Sequence, residues 1–233
     1  MTDPNQPLLE EAAAKLAPFL EEIVFVGGVT LGLLITDQAA APIRPTNDVD
    51  IIAQILTYID YMAFSKRLKA QGFTEDMGDD GEPPVTCRWR NKRLKLDVLA
   101  LDKQVLGYTN RWYRSAMQNA VAITLPSGKS IRVIMAPHFL GTKMEAFRTR
   151  GKGDFAASHD LEDFIAIIEG RPSLLEEIQA GPTELRSYLS AAAATLLAES
   201  QFLDVLPGFV LDQGRVPIVL NRLQVIASAS HED

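Results

Sequence analysis

Two short apolar runs in this chain carry carboxylates inside them, and that combination restricts the fold more than any other feature of its 233 residues. The first is Asp48-Val49-Asp50-Ile51-Ile52-Ala53; the second is Leu94-Lys95-Leu96-Asp97-Val98-Leu99. Both have the length and apolar character of buried strands. Side chains two apart on a strand leave the same face, so Asp48 and Asp50 stand together while Val49 and Ile51 point into a core. Two such carboxylates repel each other. In the second run Lys95, Asp97 and Leu99 share a face, so Asp97 sits on a mostly buried element. A buried carboxylate has to be paired, neutralised or bound to a metal. If the two strands are neighbours, three carboxylates converge and can hold two divalent cations about 3.5–4 Å apart. Magnesium suits such donors, because it takes one or two carboxylates and completes its octahedron with water and phosphate oxygens.

The flanking pattern predicts how these runs are embedded. Leu8–Leu20 reads as an amphipathic helix and Ile23–Val26 as a buried strand that stops at Gly27-Gly28. Val29–Gln38 has helical character, and a loop with Pro42 and Pro45 follows. Tyr58–Ala70 is a predicted helix ending near Gly72, and Glu75–Glu82 is an acidic, glycine-bearing loop. Val85–Arg90 and Leu94–Leu101 read as adjacent strands joined by Asn91-Lys92. Ala120–Leu125 and Ser130–Ile134 flank Pro126-Ser127-Gly128-Lys129, a hairpin signal. From Pro137 onward the chain turns helical: Pro137–Arg148, Ser158–Glu169, Ser173–Gln179, Pro182–Phe202 and a last helix from about Pro217. The expected organisation is an α/β half over residues 1–135 and a helical half over 136–233.

Composition bounds the function classes. A hydrophobic fraction of 47% and a charged fraction of 23% are ordinary for a folded globular protein. The single cysteine, Cys87, excludes an intrachain disulfide framework. Met1 to Glu11 is polar and acidic, unlike a signal segment, and the apolar stretch Ile23–Ile35 carries glycines and is too short for a bilayer. The expectation is a soluble cytoplasmic protein with no membrane partner. Net charge is −7, yet Arg88–Lys152 holds 14 Lys and Arg against three acidic residues, while the remainder holds 9 basic against 27 acidic. That asymmetry fits a segment facing something anionic, or the wet faces of ordinary strands and helices.

Gly27-Gly28 falls where the first strand hands over to a helix, where glycines let the backbone approach a ligand and leave amides free for phosphate. Phe25-Val26-Gly27-Gly28, followed by Arg44-Pro45-Thr46-Asn47-Asp48-Val49-Asp50-Ile51, resembles the signature of the DNA-polymerase-β-like nucleotidyltransferase superfamily. The Arg-x-Thr-x-Asp form, with Lys143-Met144-Glu145-Ala146-Phe147-Arg148 and Asp160-Leu161-Glu162-Asp163, resembles the AbiEii/AbiGii-type (MenT-like) toxin branch. The resemblance runs from about Val24 to Ile168. It implies an α+β fold, in which a polymerase-β-like α/β core with a mixed sheet precedes a C-terminal helical region. It also implies an enzyme moving a nucleoside monophosphate from an NTP to a hydroxyl, with Mg2+ or Mn2+ as cofactor. On that resemblance Asp48, Asp50 and Asp97 are catalytic metal ligands, Gly27 and Gly28 meet the phosphates, Lys143 contacts the triphosphate, and Asp160 belongs to the branch's last motif. The gap from Gly28 to Asp48 is longer than in compact members. Ala39–Pro45 must loop out, with Arg44 and Thr46 as the candidate nucleotide contacts there.

The acceptor stays open among an RNA 3′ end such as that of a tRNA, a protein side chain and an aminoglycoside-like small molecule; the toxin branch adds an antitoxin protein as partner. Two other classes compete: a non-catalytic nucleotide-binding protein on the same fold, and a structural domain in which a cation such as Arg90 or Lys95 satisfies Asp97. Arg88-Trp89-Arg90-Asn91-Lys92-Arg93 and Arg111-Trp112-Tyr113-Arg114 interleave basic and aromatic residues, a pattern that can stack bases. The tryptophans read better as core, and the arginines better as functional groups. Ser127-Gly128-Lys129-Ser130 is a hairpin turn, since Ile123 stands where a P-loop needs glycine. His138, His159 and His231 lack metal-ligand spacing, which argues against zinc.

Overall fold

The computed structural model describes residues 3–78, 85–150 and 154–229. The second half of the Glu75–Glu82 loop and His231 lie outside them. In chain order the first elements are α1 (Gln6–Lys15), β1 (Ile23–Val26), α2 (Leu31–Leu34), β2 (Asp48–Ala53), α3 (Tyr58–Ala70), β3 (Thr74–Glu75), β4 (Arg88–Asn91) and β5 (Leu94–Leu99). Then come α4 (Lys103–Leu106), α5 (Tyr113–Gln118), β6 (Val121–Thr124), β7 (Ser130–Val133), α6 (Ala136–Arg150), α7 (His159–Gly170) and α8 (Leu174–Gln179). The last are α9 (Thr183–Ala198), α10 (Ser200–Phe209) and α11 (Val216–Ser228). The fold is α+β. It divides into two compact units, Thr2–Thr30 with Arg44–Ile134, and Leu31–Ile43 with Met135–Asp233.

The first unit is built on a seven-stranded mixed sheet in the order β3-β4-β5-β2-β1-β7-β6. β2 is antiparallel to β1 and parallel to β5. Ile23–Val26 is buried throughout, as are Val49, Ile51, Leu94, Leu96 and Val98. Both acidic runs are therefore interior strands, which explains why their remaining positions are Val, Ile and Leu. Helix α3 starts at a capping box in which Thr57 and Asp60 satisfy each other's backbone amides.

Two sequence-based expectations shift here. The β4–β5 turn is Lys92-Arg93 rather than Asn91-Lys92, because Asn91 pairs with Leu94 and its side chain donates to the Gln71 carbonyl at 3.1 Å. Lys92 adopts φ 56° to make the turn. This register sets Arg88 directly opposite Asp97. The short strand β3, which the sequence pattern did not indicate, extends the sheet through Thr74↔Arg90 and Glu75↔Trp89.

The predicted Val29–Gln38 helix is reduced to a 3-10 turn at Gly28–Thr30, in the first unit, and the single turn α2, in the second. The amides of Thr36 and Asp37 both donate to the Gly170 carbonyl at 3.0 Å, which ends the helical ladder. A β-carbon at Gly170 would stand 2.7 Å from Ile35, so only glycine lets the two segments touch. Arg215 bridges Glu169 at 2.6 Å and Asp37 at 2.7 Å. The predicted Pro182–Phe202 helix is two helices, since Glu199 is extended and α10 turns away from α9 by 98°. That break lets Phe202 bury completely. Among the described residues no single helix is long and apolar enough to cross a membrane.

Candidate active site

The three aspartates meet on one face of the first unit's sheet. Asp48 and Asp50 leave the same side of β2, and Asp50 is the in-register partner of Asp97 on β5. On the other side, Asp50 pairs with Val26, the last residue of β1. Gly27 follows at φ +71°, and a β-carbon there would lie 2.0 Å from Oδ2 of Asp50. Gly27 is thus demanded twice, by its conformation and by the carboxylate lying against it. Gly28 carries no such demand, because its β-carbon would rest 3.5 Å from Thr46, an ordinary contact.

The loop before β2 shapes the site through Thr46. Its hydroxyl donates to Oδ1 of Asp48 at 2.8 Å, and its amide donates to Oδ1 of Asn5 at 2.8 Å. Nδ2 of Asn5 donates to the carbonyls of Arg44 at 3.1 Å and Gly28 at 3.4 Å. The buried Asn5 therefore ties the glycine turn to the segment that delivers Asp48. Of the two loop residues, Thr46 meets Asp48 with its side chain, and Arg44 offers its carbonyl to Asn5. Asn5 carries no periodicity or motif signal, so the sequence pattern missed it.

Arg88 stood out in the sequence only as part of a basic and aromatic run, and its pairing with the carboxylates was missed. Its Nε donates to Oδ1 of Asp97 at 2.7 Å and its Nη2 to Oδ2 of the same carboxylate at 2.7 Å. The same Nη2 reaches Oδ2 of Asp48 at 3.1 Å. These bonds, Asp97 foremost, raise the guanidinium further above an arginine's ordinary value, so it stays charged. The cation on Asp97 is thus Arg88, not Arg90 or Lys95; Arg90 is instead 2.9 Å from Asp76. A hairpin centred on Lys92-Arg93 would have revealed the Arg88–Asp97 pairing from sequence.

The donors on this face are carboxylate oxygens, which suits a hard divalent cation. Asp48 and Asp50 fit one ion completed by water and phosphate. Asp97 differs from them in that one guanidinium grips both of its oxygens, so a cation reaching it would meet the Arg88 charge, whereas Asp48 gives Arg88 a single oxygen. No cluster of three or more His, Cys, Asp or Glu among the described residues is arranged to hold a metal.

Neighbouring groups narrow the chemistry. Cys87 is buried; desolvation first, then the charge of Asp97, push its thiol up to about 11, so it is no nucleophile. Trp89 and Trp112 are buried in the core and cannot stack on bases. Beside Arg88 opens a cavity of about 1010 Å³ lined by Tyr58, Tyr61, Met62, Val85 and Leu106, with Arg88 in its wall.

Lys143 and Asp160 belong to the second unit. Nζ of Lys143 is 2.6 Å from Oδ2 of Asp163 and 3.2 Å from Oδ1 of Asp160, above the Phe139 ring. Asp163 is buried and Asp160 half-buried. Lys143 is therefore engaged with both aspartates of the Asp160-Leu161-Glu162-Asp163 motif.

No protein-family model matches the chain, and no curated protein matches it either. Solved structures do. An antigenic nucleotidyltransferase-like protein from Paracoccidioides brasiliensis is 18% identical, with a TM-score of 0.47 over 89% of this chain and 93% of that one. JHP933 from Helicobacter pylori is 13% identical, with a TM-score of 0.49 over 98% of this chain and 92% of that one.

Proposed function

We propose that this chain is a nucleotidyltransferase that moves a nucleoside monophosphate from an NTP to a hydroxyl and releases pyrophosphate. One observation carries the reading: Asp48, Asp50 and Asp97 share one face of a buried sheet, with Gly27 conformed to receive Asp50. Clustered carboxylates destabilise a fold unless cations join them, and Arg88 offsets only one of these three charges, which supports a further cationic ligand. The motif resemblance in Phe25–Gly28 and Arg44–Ile51 supports the same assignment.

Asp48 and Asp50 would hold the divalent cation, Mg2+ or Mn2+. When bound, such a cation neutralises the triphosphate and favours departure of pyrophosphate. Thr46 fixes the rotamer of Asp48 through its hydroxyl, and Asn5 fixes Thr46. The backbone at Gly27-Gly28 offers close approach to phosphate oxygens. Arg88 directs a permanent positive charge at the carboxylate face, where negative charge develops on the transferring phosphoryl group. The cavity beside Arg88 would receive the acceptor.

The acceptor class that we place first is an RNA 3′ end, as in the toxin branch, with an antitoxin protein as the regulatory partner. Ion pairing withdraws Arg88, Arg90 and Lys143 from the basic segment, but Lys92 and Arg93 stand exposed at the β4–β5 turn. Protein and small-molecule hydroxyls are the alternatives. A second reading has its own support: in the Arg88–Asp97 pair an arginine satisfies the buried carboxylate, as a purely structural domain would require.

One experiment separates these readings. The protein is incubated with each α-32P-labelled NTP, magnesium and total RNA, beside an Asp48→Ala/Asp50→Ala control. Label on RNA with the intact chain alone establishes the transferase and the acceptor class. Magnesium-dependent NTP binding without labelled RNA moves the acceptor to a protein or small molecule. No NTP binding with magnesium leaves the structural reading standing.

A further inference from the structure

We infer that Arg88 takes the place of one of the two divalent cations that three clustered carboxylates would otherwise hold, so that the site works with a single metal ion and a built-in guanidinium. The inference rests on the proposed nucleotidyltransferase reading and concerns what neutralises its acidic face.

Three observations converge. First, Arg88 is directly opposite Asp97 in the β4–β5 ladder, so its stem is positioned by backbone pairing and not by chance contact. Second, its grip is bidentate: Nε and Nη2 each lie 2.7 Å from one oxygen of Asp97, the geometry in which arginine binds a carboxylate most specifically. Third, the same Nη2 spans to Asp48 at 3.1 Å, bridging the two strands as a shared cation would. A divalent ion bound between Asp48 and Asp97 would have to share that space with the guanidinium, and like charges at such range repel strongly.

Charge balance agrees. The carboxylates of Asp48, Asp50 and Asp97 less the one guanidinium leave a formal charge that a single divalent cation cancels. Asp48 and Asp50 supply two carboxylates to such an ion, and substrate phosphates and water supply the rest. Asp97 then acts as the positioning residue for Arg88. Arginine cannot lose its proton in a protein, so the second positive charge is present at every pH and every metal concentration.

The test counts metal ions. Mn2+ bound per chain is measured by electron paramagnetic resonance and equilibrium dialysis, with saturating α,β-methylene analogues of each NTP. The intact chain is expected to bind one Mn2+, and Arg88→Met to bind two, because both oxygens of Asp97 are released. Asp97→Asn is expected to leave the count at one, since Asp97 is not a ligand in this scheme. Two ions on the intact chain overturn the inference while leaving the metal-dependent reading in place, even if Arg88→Met fails to fold. A folded Arg88→Met that still binds one ion also overturns it. No Mn2+ on any variant removes the metal-dependent reading and the inference with it.

Discussion

Gly27, the residue after β1, lies so close to Asp50 on the adjacent strand β2 that a β-carbon on the first would fall 2.0 Å from a carboxylate oxygen of the second. Val26 is the register partner of Asp50, so the chain must turn over that carboxylate immediately after β1, and it does so at φ +71°. Gly27→Ala therefore meets two penalties, a disfavoured backbone region and an overlap with Asp50. Together they are expected to cost about 2–4 kcal/mol of stability or to drive Asp50 off its rotamer. Urea denaturation of the variant, with magnesium-dependent NTP binding measured alongside, checks both. Gly28→Ala is the control for stability, expected to be nearly neutral in urea because its β-carbon would only touch Thr46 at van der Waals distance. Equal losses of stability from the two substitutions would refute the steric account.

Asn5 gives a prediction that no motif suggests. Its side chain accepts from the Thr46 amide and donates toward the carbonyls of Arg44 and Gly28, at a position 1% exposed. Removing it orphans those groups, and Asn5→Ala is expected to lose roughly 2–3 kcal/mol. Thr46 would then hold Asp48 less firmly, and transfer should fall by about ten- to a hundredfold, as it does when support behind a metal ligand is removed. Asn5→Asp keeps the acceptor for the Thr46 amide and should retain more activity than Asn5→Ala. The ordering of the two variants in kcat is the decisive readout.

Much of the sheet was legible because its strands obey simple rules. Ile23–Val26 and Asp48–Ala53 are apolar runs broken only by charge, and Tyr58–Ala70 is bounded by Thr57 and Gly72; all three elements lie where the pattern places them. The convergence of Asp50 and Asp97 also followed from pairing the two acidic runs. What escaped the sequence depends on contacts far apart in the chain. The helix expected to Gln38 stops at Leu34 because a carbonyl at Gly170 takes its amides. Arg88 escaped through a one-residue error in the turn, which moved every cross-strand partner of β4 and hid its pairing with Asp97.

Lys143 separates a structural role from a catalytic one. Its ammonium is 2.6 Å from Asp163, whose side chain is 2% exposed, so the pair is sequestered from solvent. Lys143→Met would leave Asp163 buried without that cation and is expected to cost about 3–5 kcal/mol. The double variant Lys143→Met/Asp163→Leu removes both charges and should recover most of the loss. If Lys143 also touches triphosphate, the double variant will be stable yet bind NTP poorly; if its role is internal, binding will match the intact chain. Chemical denaturation together with NTP titration of the three proteins distinguishes these outcomes.

His138 predicts how stability follows pH. It sits on α6, is 2% exposed, and burial lowers its pKa from the ordinary 6.5 to about 4. Between those values the unfolded chain binds a proton that the folded chain refuses, so folding stability falls as pH drops through 6.5 and levels off below about 4. Above 6.5 both states hold the neutral ring and the residue contributes no slope. At 1.36 kcal/mol per pH unit the full interval corresponds to roughly 3 kcal/mol, a large share of a domain's net stability. His138→Leu removes the titration, and the variant should close on, or overtake, the intact chain as the pH is lowered from 7.5 to 4.5. Denaturant midpoints measured across that range decide the matter: a stability difference between the two proteins that stays constant with pH would show that the imidazole is protonated in the folded state after all.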